Sequence, residues 1–152
     1  AAAGRWDDVA RVRKAMRDKG LKKEPGKSCI EIKSKIHEFV SGDRYHPERE
    51  AIYTELNRLM KEIEEAGYVA DTKTVLHDVE ESRKKHLLYH HSERLAIAYG
   101  LLKTPPGTPL RIIKNLRVCT DCHTASKFIS KVTGRKLIMR DAKRFHHVEA
   151  GV

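Results

Sequence analysis

Two scarcities limit what this sequence can encode. Its 152 residues include only three cysteines, whereas a disulfide-framed secreted domain carries more of them in a smaller fold. Its apolar runs, such as residues 95–102, stop well short of the roughly 20 residues that a membrane span requires. The cysteine usage therefore fits a reducing compartment, and we expect no membrane partner.

The amino terminus also lacks features that would mark the start of a protein. There is no initiator Met and no charged-then-apolar leader, and Ala1 reads as the middle of a helix. We therefore expect a piece of a longer protein, in which any targeting signal would lie upstream.

Positive charge is what the sequence has in excess. Thirty-one Lys and Arg residues stand against 21 Asp and Glu, which gives a formal net charge of +10. A surface this basic favours a polyanion, and nucleic acid is the usual one. The alternative is a basic surface that serves only to keep the protein in solution.

The spacing of apolar residues gives the order of secondary-structure elements. It predicts helices over residues 7–19, 48–66, 81–102 and 120–132, a β-hairpin over 28–40, and strands over 110–118 and 136–140. Residues 68–80 read as irregular. The order fits a sheet backed by helices, so the predicted fold class is α/β or α+β.

One histidine, one glutamate and two cysteines carry the strongest chemical pattern. His91-Ser92-Glu93 precedes Cys119-Thr120-Asp121-Cys122 in the sequence. One imidazole and two thiolates leave a tetrahedral zinc with an open fourth position, where bound water becomes a nucleophile near neutral pH. Glu93 is then the carboxylate that moves protons to a leaving amine. The pattern follows the H-x-E…C-x-x-C signature of zinc deaminases.

Helix geometry adds a condition to this prediction. Two residues of a continuous helix subtend about 200°, so His91 and Glu93 would face nearly opposite ways within one helix over 81–102. We therefore predict a break around residues 89–91. Cys119 and Cys122 straddle the predicted start of a helix, where the helix dipole favours thiolates.

The same cysteines allow other interpretations. C-x-x-C can be a redox pair or half of a structural zinc knuckle, and residues 119–123 also read C-x-x-C-H, the string that attaches c-type haem. Haem needs an axial ligand and a large apolar pocket, for which a helix packed on a sheet leaves little room. Zinc deaminase chemistry is the leading hypothesis, and a structural zinc is the alternative.

Two further groups are candidates for binding. His123, His146 and His147 could ligate a second metal, although neighbouring residues of a strand face opposite ways, so only one of the adjacent pair can serve. Basic residues around Phe145 predict contacts with single-stranded RNA or DNA, with an ordinary solvated face as the alternative. These basic candidates are Arg135, Lys136, Arg140, Lys143 and Arg144.

Together these motifs resemble the carboxy-terminal DYW domain of plant pentatricopeptide-repeat RNA-editing proteins. Residues 4–8 look like the end of the repeat-like extension, 24–28 like the PG box, and 88–102 like the HSE motif, while 115–123 and 140–147 match the next two blocks. The expected organisation is an extension over 1–22 and a deaminase domain over 23–152. That domain divides into a PG-box hairpin (26–40), an insertion (45–80) and a zinc-binding core (81–152).

The resemblance implies a cytidine deaminase-like fold, with a central sheet flanked by helices. It implies Zn²⁺-dependent conversion of single cytidines to uridine in organellar RNA, by attack of zinc hydroxide at C4 with Glu93 as the proton shuttle. We expect the insertion to act as a lid, because cytidine must enter a closed site. The alternative is a non-catalytic zinc- and RNA-binding module of the same fold that supports an editing complex.

Partners and location also follow from the resemblance. Upstream pentatricopeptide repeats, in the same protein or in trans, would select the site in single-stranded RNA, and editing-factor proteins are further expected partners. The location implied is a plastid or a mitochondrion.

The family's second zinc is thought to use the histidine after C-x-x-C, here His123, one of His146 and His147, and a C-x-C close to the end. This chain stops at Val152, before that C-x-C and the final Asp-Tyr-Trp. We therefore expect the second site to lack two ligands here. Val118, where the generic deaminase signature has proline, is a second departure.

Overall fold

The computed structural model describes residues 3–75 and 77–152 and combines α-helices with one β-sheet. The helices of this part of the chain are α1 (Trp6–Asp18), α2 (Arg49–Glu65), α3 (Glu81–Tyr89), α4 (Ser92–Lys103) and α5 (Thr120–Thr133). The strands are β1 (Lys27–Ile32), β2 (Lys35–Val40), β3 (Leu110–Lys114), β4 (Leu137–Arg140) and β5 (Phe145–Val148). The predicted α/β class is confirmed. The expectation of a helix at Ala1 falls outside the described residues.

The five strands form one sheet in the order β2-β1-β3-β4-β5. Only the β3–β4 pair is parallel, because α5 connects those two strands. The predicted hairpin is confirmed, and its two-residue turn places Lys33 and Ser34 in the left-handed region, at φ values of 51° and 59°. This turn type matches the twist of the flanking strands.

Two strands differ from the prediction. β3 ends at Lys114 instead of continuing to Val118, since Asn115 turns away to pair with the start of β1 through its side-chain oxygen and the Lys27 N–H, 2.7 Å apart. β5 was not predicted as a strand, because its sequence Phe-His-His-Val has no apolar alternation.

The helices that contact the sheet cover one of its faces. α4 packs on β1, β2 and β3, α5 packs on β5, and α2 packs against α4 and α5. α4 approaches the sheet so closely that a Cβ on Gly100 would lie 2.7 Å from Cδ1 of Ile30. The opposite face exposes Ile113 and Phe145. Among the described residues, none of the helices has the length and apolar character that crossing a bilayer requires.

The predicted helix break is confirmed. α3 ends at Tyr89 and α4 begins at Ser92, with His90 closing the first helix and His91 preceding the second in an extended conformation, φ −61° and ψ 143°. The His91 carbonyl accepts the N–H groups of Arg94 and Leu95. His91 and Glu93 therefore both belong to the amino-terminal end of α4.

The insertion over 45–80 does not behave as one unit. Its helix α2 buries five apolar side chains in the core, namely Ile52, Leu56, Leu59, Met60 and Ile63. This helix is part of the core, and the gating role of the insertion stays a prediction. The rest of the insertion includes Leu76, which lies outside the described residues.

A buried ion pair joins α4 to α5. Arg94 and Asp121 are each 1% exposed and lie in direct contact. The hydroxyl of Tyr68 donates to Asp121 at 2.8 Å and accepts from Arg94 at 3.0 Å, and the Asp71 N–H also donates to Asp121 at 2.8 Å. A buried pair of charges is tolerated only with such additional hydrogen bonds. The network fixes the beginnings of the two helices against each other.

Candidate active site

Two helix N-termini meet at the predicted metal ligands. Cys119 caps α5, and its sulfur accepts the Cys122 N–H at 3.3 Å. His91, at the start of α4, places Nδ1 3.6 Å from the Cys119 sulfur and 3.4 Å from the Cys122 sulfur. One ligand atom from each of these residues and from Glu93 lies within 4.8 Å of the others. The chain thus brings all four predicted residues together.

The donor set fits zinc. An imidazole and two sulfurs on facing helix ends are the ligands of a tetrahedral zinc with a further position open. Contact with Cys122 and burial both raise the pKa of Cys119, so a nearby cation is needed to hold the thiolate form. The haem interpretation fits poorly, because the His91 ring occupies the space beside both sulfurs.

Glu93 is a buried carboxylate with one oxygen held and one oxygen unpaired. Its side chain is 1% exposed, and Oε2 accepts from Nζ of Lys114 at 2.6 Å and from Oγ of Ser92 at 3.1 Å. Oε1 has no hydrogen-bond partner in the part of the chain that the structure describes. Burial raises the pKa of Glu93, but the charges of Lys114 and His91 outweigh it, so the net pKa lies below its usual value.

Lys114 is a site residue that the sequence reading missed. It ends β3 on the buried face of the sheet, in register with Ser28, and its Nζ also contacts the Ser92 hydroxyl at 2.9 Å. The signal was present in the alternation of β3, whose inward positions are Leu110, Ile112 and Lys114. A lysine at an inward position requires a buried partner.

Four residues of the candidate site, among them Lys114, line a cavity of about 770 Å³. Its size falls within the range of small-ligand sites. His91, Glu93 and Cys119 border it, together with residues 23–26 of the predicted PG box. From the insertion, Thr74, Val75 and His77 border the cavity. If the insertion covers the cavity, the segment that follows α2 is the part of it that is in place to do so.

The candidate second metal group is partly assembled. His123 and His146 place their Nδ1 atoms 3.2 Å apart, and Nε2 of His146 lies 3.1 Å from Oδ2 of Asp141. His147 faces the other way and is exposed beside Phe145. Burial and His146 lower the pKa of His123, which favours the neutral imidazole that a metal binds.

Asp141 is a second residue that the sequence reading missed. It is 4% exposed, and its carboxylate accepts the backbone N–H groups of Val118, Lys143 and Arg144. Burial raises the pKa of Asp141, but these hydrogen bonds and the contact with His146 lower it by more. The net pKa therefore lies below the usual value. A fixed carboxylate on one ring nitrogen orients the other for a metal.

The predicted RNA contacts are not all available. Arg135 is 3% exposed and donates to the Thr104 and Thr108 carbonyls. The prediction that Arg135 contacts RNA is therefore wrong, and its side chain instead stabilises the fold. Lys136 pairs with Glu149 at 2.9 Å. Arg140, Lys143 and Arg144 are exposed. Among the described residues, none of the five predicted basic side chains borders the cavity, whereas Arg117 does.

Three family profiles match successive parts of the chain. The profile described as the DYW family of nucleic acid deaminases matches residues 67–152. The E motif matches residues 1–31, and the E+ motif matches residues 36–63.

Plant proteins match nearly the whole chain. It is 56% identical over 151 residues to the pentatricopeptide repeat-containing protein ELI1, chloroplastic, of Arabidopsis thaliana, a match that covers 99% of this chain and 24% of that protein. It is 51% identical over 151 residues to the pentatricopeptide repeat-containing protein At3g26782, mitochondrial, of the same plant, with coverages of 99% and 23%. The chain thus spans about a quarter of the length of these relatives.

Replacing Lys114 tests the charge pairing at the site. Lys114→Met leaves Glu93 buried without its cation, so we expect the free energy of unfolding at pH 7 to fall by about 3–5 kcal/mol. The loss should shrink toward pH 5, because burial then raises the pKa of Glu93 and lets it take up a proton. In the unchanged protein the pKa of Glu93 is lowered. The ion pair therefore contributes its whole stabilisation at pH values above the pKa of Glu93 in the unfolded chain. That stabilisation is lost only when the pH falls through the lower pKa of Glu93 in the folded protein.

Urea denaturation followed by circular dichroism measures this effect. Lys136→Met removes a partly exposed lysine paired with Glu149 and serves as the matched control, with an expected loss below about 1 kcal/mol. Adding Glu93→Gln to Lys114→Met should recover most of the loss. Equal losses in the two lysine variants would contradict the pairing.

Proposed function

Because the chain belongs to the DYW family of nucleic acid deaminases, we propose that it is a zinc-dependent cytidine deaminase that converts cytidine to uridine in organellar RNA. The observation that carries the proposal is a buried carboxylate, Glu93, which lies beside one histidine and two cysteines and borders a cavity. A purely structural zinc has no use for that carboxylate. The overall reaction adds water to cytidine and releases ammonia.

Each residue has a separate task in this proposal. His91, Cys119 and Cys122 hold the metal, and a zinc ion bound there supplies a Lewis acid that activates water near neutral pH. Glu93 takes a proton at its unpaired oxygen, Oε1, and returns it to the leaving amine. Lys114 holds the other oxygen, so the carboxylate starts the cycle charged and fixed in position.

The cavity walls determine how cytidine enters. A base can enter this cavity only when it is splayed out of its strand. Residues 23–26 form one wall and Thr74, Val75 and His77 form another. We assign the gating role to this second wall, because it adjoins the cavity and is not part of a core helix.

The wider organisation is part of the same proposal. Residues 23–152 act as one unit, since β1 pairs with β3 and α2 packs on α4, and residues 1–22 end a repeat-like extension. Upstream pentatricopeptide repeats, in the same protein or in trans, choose the site in single-stranded RNA, with editing-factor proteins as further partners. The chloroplastic and mitochondrial names of the relatives support a plastid or mitochondrial location.

The second histidine group extends the metal assignment. We assign His123 and His146 as ligands of a second zinc, with Asp141 orienting the His146 ring. The remaining ligands of that zinc come from groups other than these three residues. The site is close to the first one along α5, because His123 directly follows Cys122. Its role is to fix the beginning of α5 against β5.

Replacing Glu93 tests the chemistry. Glu93→Ala should slow cytidine-to-uridine conversion at least 100-fold, since general acid–base groups contribute about 10²–10⁴, while zinc content stays unchanged. The measurement is sequencing of a target RNA after reaction with the zinc-loaded, full-length protein, its repeats included. Glu31→Ala, at an exposed position of β1, is the matched control and should react at the normal rate. Normal conversion by Glu93→Ala would overturn the assignment of Glu93 as the proton shuttle. No conversion by the unchanged protein would instead favour the non-catalytic, RNA-binding alternative.

Counting zinc in variants of the full-length protein tests both metal assignments. His91→Ala should lose the first zinc and His146→Ala the second, because each removes a ligand. His147→Ala is the control for the neighbouring position and should keep both, since its ring faces away. Mass spectrometry of the metal content gives the numbers. Equal zinc loss in the His146 and His147 variants would overturn the second assignment.

A further inference from the structure

A second cavity lies beside the candidate active site. It has a volume of about 550 Å³ and is formed by the loop after β2, the first turns of α2, and α3. We call it the arginine cleft and define it by Arg44, Arg49, Tyr53, Arg83, His86 and His90. Ser41 and Leu87 border both cavities. The two spaces are therefore separated only by a shared rim.

Positive charge dominates the arginine cleft. In the described chain its lining has three arginines and one acidic residue, Glu50. Arg44 and Arg83 have no carboxylate within ion-pair distance among the described residues, and Arg49 reaches Glu50 only at 4.0 Å. The guanidinium fork matches the geometry of a phosphate.

Neighbouring cations on the same helices are neutralised. On α3, Lys84 pairs with Glu81 at 2.7 Å and Lys85 pairs with Glu64 at 2.5 Å. On α2, Arg58 pairs with Glu55 at 2.6 Å. Arg83, by contrast, lines the cleft and has no carboxylate within ion-pair distance in the described chain, which is the arrangement expected of a site for an anionic ligand.

The cleft also contains aromatic rings. The ring of Tyr53 lies 4.9 Å from that of His90, and the His86 ring lies 4.0 Å from His90. The Tyr53 hydroxyl donates to the Asp43 carbonyl at 2.8 Å, which fixes the ring. Rings beside arginines are the combination that binds single-stranded nucleic acid, since bases stack on rings while cations contact phosphates.

Chain connectivity ties the cleft to the reacting base. His90 borders the cleft, and the next residue, His91, borders the active-site cavity. Neighbouring Cα atoms are about 3.8 Å apart, so the two cavities are close enough for one strand to place neighbouring nucleotides in both. We propose that the arginine cleft binds the nucleotide flanking the target cytidine, with the phosphate on Arg44 and Arg83 and the base against the rings. This assignment rests on the proposed function.

Short RNA ligands test the proposal. Binding of cytidine, of a trinucleotide with a central cytidine, and of the two dinucleotides is measured by calorimetry on the zinc-loaded, 152-residue chain. In the double variant Arg44→Gln/Arg83→Gln, the trinucleotide and one dinucleotide should bind at least tenfold more weakly, while cytidine binds unchanged. The salt slope of trinucleotide binding should fall by about 0.7 for each phosphate that the variant no longer neutralises.

Arg111→Gln is the matched control. Arg111 is an exposed arginine on β3, on the sheet face opposite the helices, so its replacement removes the same kind of charge but should leave all affinities unchanged. Thermal unfolding verifies that the variants fold, as expected for exposed side chains. The dinucleotide that is affected shows whether the flanking nucleotide lies on the 5′ or the 3′ side.

Several outcomes would overturn the proposal. Equal trinucleotide affinity in the double variant and in Arg111→Gln would do so, and so would competition by inorganic phosphate that is as strong as competition by the trinucleotide. Loss of affinity for an acidic peptide instead of RNA would make the cleft a protein-binding site. Deamination of a target RNA by the zinc-loaded, full-length protein is recorded separately. Its absence would contradict the proposed function, whereas the binding comparison still decides the role of the cleft.

Discussion

The contact between Arg94 and Asp121 is the constraint on which the rest of the site depends. Arg94 directly follows Glu93, and Asp121 directly precedes Cys122, so the buried pair sets the distance between the two helix ends that carry Glu93 and the candidate metal ligands. Tyr68 and the Asp71 N–H complete the network from the segment after α2. One electrostatic connection thus organises α4, α5 and the beginning of the cavity wall.

The second constraint is the burial of Glu93. An isolated carboxylate in this position would take up a proton, because desolvation disfavours its charge. Lys114 reverses that tendency from the end of β3 and uses only one carboxylate oxygen. In the proposed mechanism the sheet therefore contributes to the chemistry as well as to the core. It presents the cation, while the helices present the carboxylate and the candidate metal ligands.

The sequence predicted the parts of the site that depend on local geometry. The angle between neighbouring helical positions was enough to place a break before His91, and the helix start at Cys119 followed from residue spacing. It did not reveal contacts between distant segments, such as Lys114 with Glu93. Arg135 looked like a surface cation, because nothing in its neighbours indicates the carbonyls of Thr104 and Thr108. Long-range partners decide whether a charge is exposed or buried.

The proposed mechanism requires an open metal position beside Glu93. Zinc-edge X-ray absorption of the zinc-loaded chain and of its Glu93→Gln variant identifies the atoms around the metal. For the first site we expect two sulfurs at about 2.3 Å and one nitrogen at about 2.0–2.1 Å, with a non-protein oxygen as the fourth ligand and identical spectra in the two proteins. A spectrum with three or four sulfurs, or loss of an oxygen ligand in Glu93→Gln, would contradict it. The site would then be closed by the protein itself.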